Sequence, residues 1–192
     1  MLAILKRCNH GIAAVERVVV AVLLTLIPIL ILSNVVGRAM GRPIFWVEEF
    51  AVYLMVWLAL IGMSLTVHYR ANVAVTLLLG SLPEQAHKVV VVLIDAIILV
   101  FAGALLYLCY IWFDPLTLIR VDFDFRAFRS ETFNYIYQER TSTVPMPKFW
   151  LWLAVPLSAL LMLIHSLFNL LESARSDAAS LRQGGTTGTA TE

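Results

Sequence analysis

The chain has 192 residues, of which 60% are hydrophobic and 14% are charged, and its formal net charge at pH 7 is +1. An average soluble domain carries about 25% charged residues, and a nucleic-acid-binding protein carries a clear basic excess. The composition therefore excludes an ordinary soluble fold and a nucleic-acid partner, and it favours an all-α protein that crosses a lipid bilayer several times. The two cysteines, Cys8 and Cys109, lack metal-type spacing, and we predict no metal and no cofactor.

The N-terminal segment, residues 2–17, has a helical pattern. Its apolar residues recur at helical spacing: Leu5, Cys8, Ile12 and Val15. This pattern predicts a short helix in the headgroup layer, with a frayed basic terminus as the alternative. The run 18–36 is longer than the hydrophobic part of a signal peptide and no small-residue cleavage site follows it, so we predict a retained first span with a kink at Pro28.

A polar turn follows the first span and carries the most informative motif of the chain. Its candidate partner-binding residues are Arg38, Arg42, Trp46, Glu48 and Glu49. Carboxylates at the start of a helix are favoured by the helix dipole, which is the plain structural explanation for the two glutamates. Because adjacent helical residues point about 100° apart, we predict that one glutamate contacts an arginine of the turn and the other faces a partner protein.

This Arg/Gly turn, with Pro-x-x-Trp-x-Glu-Glu and an apolar helix containing Trp57 and Gly62, resembles the small membrane (DctQ-type) subunit of TRAP transporters, the tripartite ATP-independent periplasmic carriers. The resemblance extends over about 18–171. It implies a non-enzymatic subunit of a bacterial inner membrane that binds a large membrane subunit, while a periplasmic substrate-binding protein delivers small carboxylates or related anions for cation-coupled uptake. Asn72 and Thr76 stand where the family usually has a His and an Asp.

We predict three further spans, for a total of four: 47–67, 89–113 and 149–171. The connector 68–88 has an apolar body, which favours a short interfacial or re-entrant segment. Ser81 and Glu84 form a capping-box pattern at the start of the third helix. The polar tail, 173–192, is predicted to be disordered.

The connector 114–148 is longer than the family's usual connection and is rich in aromatic residues. Val121, Phe123 and Phe125 alternate with charged residues, the period of a half-buried strand. Such a segment must pack on its own helix ends, on a partner subunit or on a soluble partner. We therefore predict Phe123 and Phe125 as partner-binding residues.

Two ionisable residues are candidates for an intramembrane role, Asp95 in the third span and His165 in the fourth. An ionisable group inside a bilayer is costly and is by default a functional candidate. Asp95 lies six residues after the start of the third span, and His165 lies six residues before the end of the fourth. Because these two spans run antiparallel, we expect both residues to lie at similar depth in the membrane and to pair. The alternative is a structural Asp95 that hydrogen-bonds His165, Ser64 or Thr66 and fixes the helix register.

A second class of function comes from His68 and His165, because haem iron commonly takes axial histidines. The alternative prediction is therefore a haem- or quinone-binding anchor subunit of a respiratory enzyme. A stand-alone transporter would need more intramembrane polar groups or broken helices than this chain has. No nucleophile elbow, phosphate loop or catalytic carboxylate pair is present in the sequence.

The basic residues on the two sides of the predicted spans tie at seven each, so the orientation is predicted from those around the first span, which usually dominates. Three precede it (Lys6, Arg7 and Arg17) and two follow it (Arg38 and Arg42). By the positive-inside rule this favours cytoplasmic termini, and the family resemblance implies the same.

Overall fold

The computed structural model describes residues 2–70, 83–144 and 146–175. Within these ranges the chain forms α1 (Leu2–Ala39), α2 (Phe45–Tyr69), α3 (Glu84–Phe113), α4 (Pro115–Arg120), α5 (Phe125–Thr132), α6 (Phe149–Trp152) and α7 (Ala154–Arg175). These ranges contain no strand, only an isolated bridge between Arg140 and Pro147. The predicted all-α class is confirmed. The predicted disordered tail, 173–192, is wrong for its first three residues, which continue α7 to Arg175. The rest of that tail, the predicted interfacial or re-entrant segment after Arg70 and the capping residue Ser81 lie outside the described residues.

Four helical regions are long and apolar enough to cross a membrane, as predicted: Leu5–Ala39, Phe45–Tyr69, Ala86–Arg120 and Phe149–Arg175. Their most apolar windows are only 11%, 22%, 17% and 39% buried within the chain. Exposing so much apolar surface to water would be unfavourable, because the burial of apolar surface is the main driving force of folding. Lipid or partner subunits must cover these helices.

The helix predicted for residues 2–17 is the first part of α1 and not a separate element. Its predicted apolar face points outward, since Leu5 is 43% and Val15 65% exposed. The buried positions of this part of α1 are instead Asn9, Ala13 and Glu16. Their spacing of four and three residues places them on one helix face. This part of α1 therefore buries Asn9 and Glu16 and exposes apolar residues such as Leu5 and Val15 together with its basic residues.

The chain divides into two compact units. The first comprises Met1–Arg17, Gly62–Leu105 and Ser158–Glu192, and the second comprises Val18–Ile61 and Leu106–Leu157. The apolar core of the first unit is formed by Val67, Ala102 and Met162. The core of the second unit is formed by Leu118, Phe128, Ile136 and Tyr137, with Phe113, Val121, Phe149 and Trp152 packed against it.

The strand predicted around residues 121–125 is wrong, because this part of the connector is a turn between α4 and α5. Asp114 and Asp124 cap these helices: Asp114 accepts from Thr117 N, and Asp124 accepts from Arg126 N and Ala127 N. Between the helices, Asp122 and Phe123 have φ values of 50° and 61°. Left-handed residues reverse the chain direction and are incompatible with an extended strand. The apolar alternation reflects two short helices joined by a tight turn.

The fourth membrane-crossing region has a one-residue interruption at Leu153, between α6 and α7. Pro156 lies in the first turn of α7, where a missing amide hydrogen costs little. Helical hydrogen bonds continue across the interruption, from Leu153 N to Phe149 O and from Leu157 N to Leu153 O. The first span, in contrast, passes Pro28 without an interruption.

Candidate functional site

The turn between α1 and α2 is held by a small polar network in the second unit. Glu48 forms an ion pair with Arg38. Asn34 donates to Glu48 Oε1 over 3.0 Å, and its amide oxygen accepts from Ile44 N over 3.0 Å. Gly41 supplies the left-handed residue of the turn, with φ +70°. The predicted contact between a glutamate and an arginine of the turn is therefore present, and Asn34 completes it.

Glu49 bonds to residues of the connector. It accepts from the backbone amides of Ser142 and Thr143 over 2.8 and 2.6 Å, from the Thr143 hydroxyl, and from Tyr53 OH over 2.9 Å. The carboxylate of this second glutamate therefore bonds within the chain, and its predicted contact with a partner protein stays a prediction. Glu49 fastens the connector to the start of α2.

Two residues of the predicted set remain on the surface near this turn. Trp46 is 44% exposed and contacts Phe50 edge-on, with ring centroids 6.1 Å apart. Arg42 is exposed, and its guanidinium forms no ion pair with any residue that the structure describes. Met40 and Phe45, 74% and 71% exposed, lie beside them. This mixture of one cation and large apolar side chains is typical of an interface.

The connector presents some of its aromatic residues and buries others. Phe123 is 62% exposed, whereas Phe125 stacks on Tyr137 with the rings 5.6 Å apart and nearly parallel. Tyr137 OH donates to Phe113 O over 2.6 Å, and burial, together with the nearby charge of Asp114, raises the pKa of Tyr137. Of the two predicted contact residues, Phe123 is free to meet a partner, and Phe125 mainly supports the fold of the connector.

Asp95 lies in the first unit and pairs with Arg70. Its carboxylate accepts from Arg70 Nη2 over 3.0 Å and from Ser173 Oγ over 2.6 Å. The same guanidinium nitrogen donates to Asn169 O over 2.8 Å. The predicted pairing of Asp95 with His165 is wrong, since both oxygen contacts described for Asp95 are to other residues.

His165 is fully buried and belongs to a second polar cluster of the first unit. Its Nε2 lies 2.8 Å from Glu16 Oε2, and its Nδ1 lies 2.6 Å from Asn9 Oδ1 and 3.3 Å from His68 Nδ1. His68 Nδ1 also lies 3.2 Å from Asn9 Nδ2. The N-terminal part of α1, the C-terminal end of α2 and the interior of α7 thus meet in one hydrogen-bonded group.

This geometry does not support the haem alternative. The rings of His68 and His165 contact each other, with centroids 4.8 Å apart. Axial histidines bind iron from opposite faces of a porphyrin, which would have to lie between the two rings. The space between His68 and His165 does not hold such a group.

Three residues of these clusters were missed from the sequence: Asn9, Glu16 and Arg70. All three fall just outside the predicted spans 18–36 and 47–67, where polar residues are expected to face water or headgroups. The available signal was the spacing of Asn9, Ala13 and Glu16, which places a polar stripe on one side of a helix whose other side is apolar.

Together the helices define a class, a multi-pass α-helical membrane protein. In the described ranges no group of three or more His, Cys, Asp or Glu side chains could hold a metal ion. Residues 27–176 match the family model described as "Tripartite ATP-independent periplasmic transporters, DctQ component". Because the match covers more than half of the 192 residues, the chain belongs to this family and is a small subunit of a TRAP transporter. No curated protein matches the chain.

Proposed function

We propose that this subunit is a static scaffold in a bacterial inner membrane. It binds the large membrane subunit, which carries the transport pathway, and it offers periplasmic surface to a substrate-binding protein. The complex would take up small carboxylates or related anions together with a cation. The observation that carries this proposal is the exposure of the long helices, whose most apolar windows remain at least three-fifths unburied. A helix surface of this kind packs against other helices or lipid.

The proposed orientation places both termini in the cytoplasm, and it places the α1–α2 turn and the connector in the periplasm. Basic residues before the first span outnumber those after it by three to two, which supports this direction. The hydrogen bonds from Ser142 and Thr143 to Glu49 support a common side for the turn and the connector.

The residues predicted to bind partners divide into two roles within this proposal. Arg42, Trp46 and Phe123 are exposed and would contact the large subunit or the binding protein directly. The others already have partners inside the chain and would shape that surface: Arg38, Glu48, Glu49 and Phe125.

Affinity purification in mild detergent tests the scaffold proposal. The tagged chain, co-expressed with the large subunit, should retain that subunit at equal stoichiometry, and neither alone should take up substrate in vesicles. Uptake by vesicles that contain this chain alone would overturn the proposal.

The docking surface is tested separately by Phe123→Ala. In reconstituted complexes the variant should need a several-fold higher concentration of loaded binding protein for half-maximal uptake, as expected for loss of an exposed aromatic contact. Phe101→Ala is the matched control, because Phe101 is similarly exposed at 55% but lies within α3, inside a membrane-crossing region. If both variants needed the same concentration of binding protein for half-maximal uptake, Phe123 would not be part of the docking surface.

A further inference from the structure

The cluster around His165 contains ionisable groups for which the scaffold role has no use. Glu16, His165 and Asn9 are 4%, 0% and 3% exposed. One carboxylate oxygen, Glu16 Oε1, is buried and has no hydrogen-bond partner among the described residues. Buried polar atoms of this kind are rare, because each costs free energy comparable to a lost hydrogen bond.

The hydrogen-bond partners in this cluster indicate how many protons it holds. Asn9 Nδ2 lies 3.2 Å from His68 Nδ1, so the amide nitrogen donates there and the amide oxygen points to His165. An amide oxygen only accepts, so the 2.6 Å contact requires that His165 Nδ1 carries a proton. The 2.8 Å contact between His165 Nε2 and Glu16 Oε2 then needs one further proton, carried by either atom.

We propose that Glu16 and His165 form a proton-binding site, oriented by Asn9 and His68, that holds one shared proton in the described geometry. The ligand is a proton delivered from water, and the site is either an imidazolium facing a carboxylate or a neutral imidazole facing a carboxylic acid. This inference goes beyond the scaffold role and does not depend on it.

Both neighbouring protonation states leave a polar group unsatisfied. Loss of the shared proton while Nδ1 stays protonated leaves a carboxylate facing a nitrogen lone pair, and gain of a second proton creates a carboxylic acid hydroxyl on Glu16 Oε1 with no acceptor among the described residues. In a buried site neither state is relieved by water, so each is costly. The link between Glu16 of α1 and His165 of α7 is therefore fully satisfied, in the described orientation of Asn9, when the site holds one shared proton.

The surrounding charges are compatible with a single shared proton. The groups nearest to the cluster are His10 and Arg17 of α1 and His68 and Tyr69 of α2. Arg17 donates to Tyr69 OH and lies over its ring, which directs the guanidinium to the tyrosine. This unit also holds two ion pairs, Lys6 with Glu172 and Arg70 with Asp95, and the exposed or half-buried cations Arg7, Lys88 and Arg175.

The test is nitrogen-15 NMR of histidine-labelled full-length chain in lipid nanodiscs, with its large subunit where that subunit co-purifies. The chain has four histidines, so His165 can be assigned by elimination from His10→Gln, His68→Gln and His87→Gln even if His165→Gln does not fold. Infrared difference spectra between the wild type and Glu16→Gln report whether Glu16 carries a proton.

The expected result at neutral pH is a protonated Nδ1 on His165, accompanied by one of two signatures. Either Nε2 is protonated as well and Glu16 is ionised, or Nε2 is bare and a carboxylic acid band disappears in Glu16→Gln. A neutral His165 that is protonated on Nε2 and faces an ionised Glu16 would overturn the proposal, since the pair would then store no extra proton. A neutral Nδ1-protonated ring without a carboxylic acid band would overturn it equally.

Discussion

Asp95 illustrates how a charged side chain is accommodated inside a membrane-crossing helix. The sequence identified it as buried and costly, and it is 4% exposed. Its partner could not be predicted, because counting residues from span ends gives depth but not rotation about the helix axis. Arg70 has φ 52°, just beyond the end of α2, and its long side chain reaches Asp95 from there. A left-handed arginine has no sequence signature.

Replacement of Asp95 by Asn should destabilise the first unit. Removing one member of a buried ion pair costs about 3–5 kcal/mol, and an exposed pair contributes under about 1 kcal/mol. Since the Asp95 side chain is 5% and that of Arg70 33% exposed, we expect about 2 kcal/mol, seen as a melting temperature lower by roughly 4–8 °C in detergent.

Asp122→Asn is the control for that measurement, because Asp122 is exposed and asparagine also tolerates its left-handed backbone. Uptake by the reconstituted Asp95→Asn complex adds a second readout. If folded protein lost uptake without losing stability, Asp95 would have a role in transport and not only in structure.

Glu49→Gln should loosen the attachment of the connector to α2. A glutamine oxygen can replace part of the acceptor capacity of Glu49 but not its charge, and hydrogen bonds to a charged acceptor are stronger than those to a neutral one. We expect the amides of Ser142 and Thr143 to exchange with deuterium about tenfold faster or more.

The matched variant for this exchange experiment is Glu131→Gln. Glu131 is exposed on α5, and no hydrogen bond or ion pair to another described residue is observed for it. Unchanged exchange at Ser142 and Thr143 in Glu49→Gln would show that the connector is held by its apolar core alone.

At the scale of the elements, the long apolar runs predicted the membrane-crossing helices correctly, whereas the short apolar–polar alternation in the connector wrongly predicted a strand. Four long apolar runs leave little choice but membrane-crossing helices, and all four are found. In the connector, the apolar–polar alternation falls on a turn with two left-handed residues. The alternation alone does not distinguish such a turn from a strand. In residues 2–17, Leu5 and Val15 face outward and Asn9 and Glu16 face inward, because the rule that polar residues face water fails where lipid is the solvent.

The connector should depend on Phe128 more than on any exposed aromatic residue. Phe128 is 0% exposed and contacts Tyr137 edge-on at 5.1 Å, whereas Phe133 is 79% exposed. Truncation of a buried phenylalanine to alanine costs about 3–5 kcal/mol. Phe128→Ala should therefore abolish the near-ultraviolet circular dichroism of the aromatic cluster at a lower temperature than wild type, and Phe133→Ala should leave that transition in place. Equal transitions in the two variants would contradict the described core.

At the scale of the whole molecule, the crossings fix which extramembrane parts share a side. One crossing, α1, separates Cys8 from the α1–α2 turn. Two crossings, α2 and α3, separate that turn from the connector. An even number of crossings returns the chain to its starting side, so the turn and the connector should lie together, opposite to Cys8, whichever way the protein is oriented.

Cysteine labelling in intact cells tests this arrangement and its direction together. In a background with Cys8→Ser and Cys109→Ala, Met40→Cys and Ser130→Cys place single thiols at exposed positions of the turn and of α5. A variant that keeps only Cys8, which is exposed, reports on the N-terminal side. With cytoplasmic termini, an impermeant maleimide should label the turn and the α5 thiol in intact cells, and it should label Cys8 only after permeabilisation. The opposite pattern would reverse the proposed orientation and leave the fold intact. Labelling of the turn and α5 from different sides would mean that α2 or α3 does not cross the membrane.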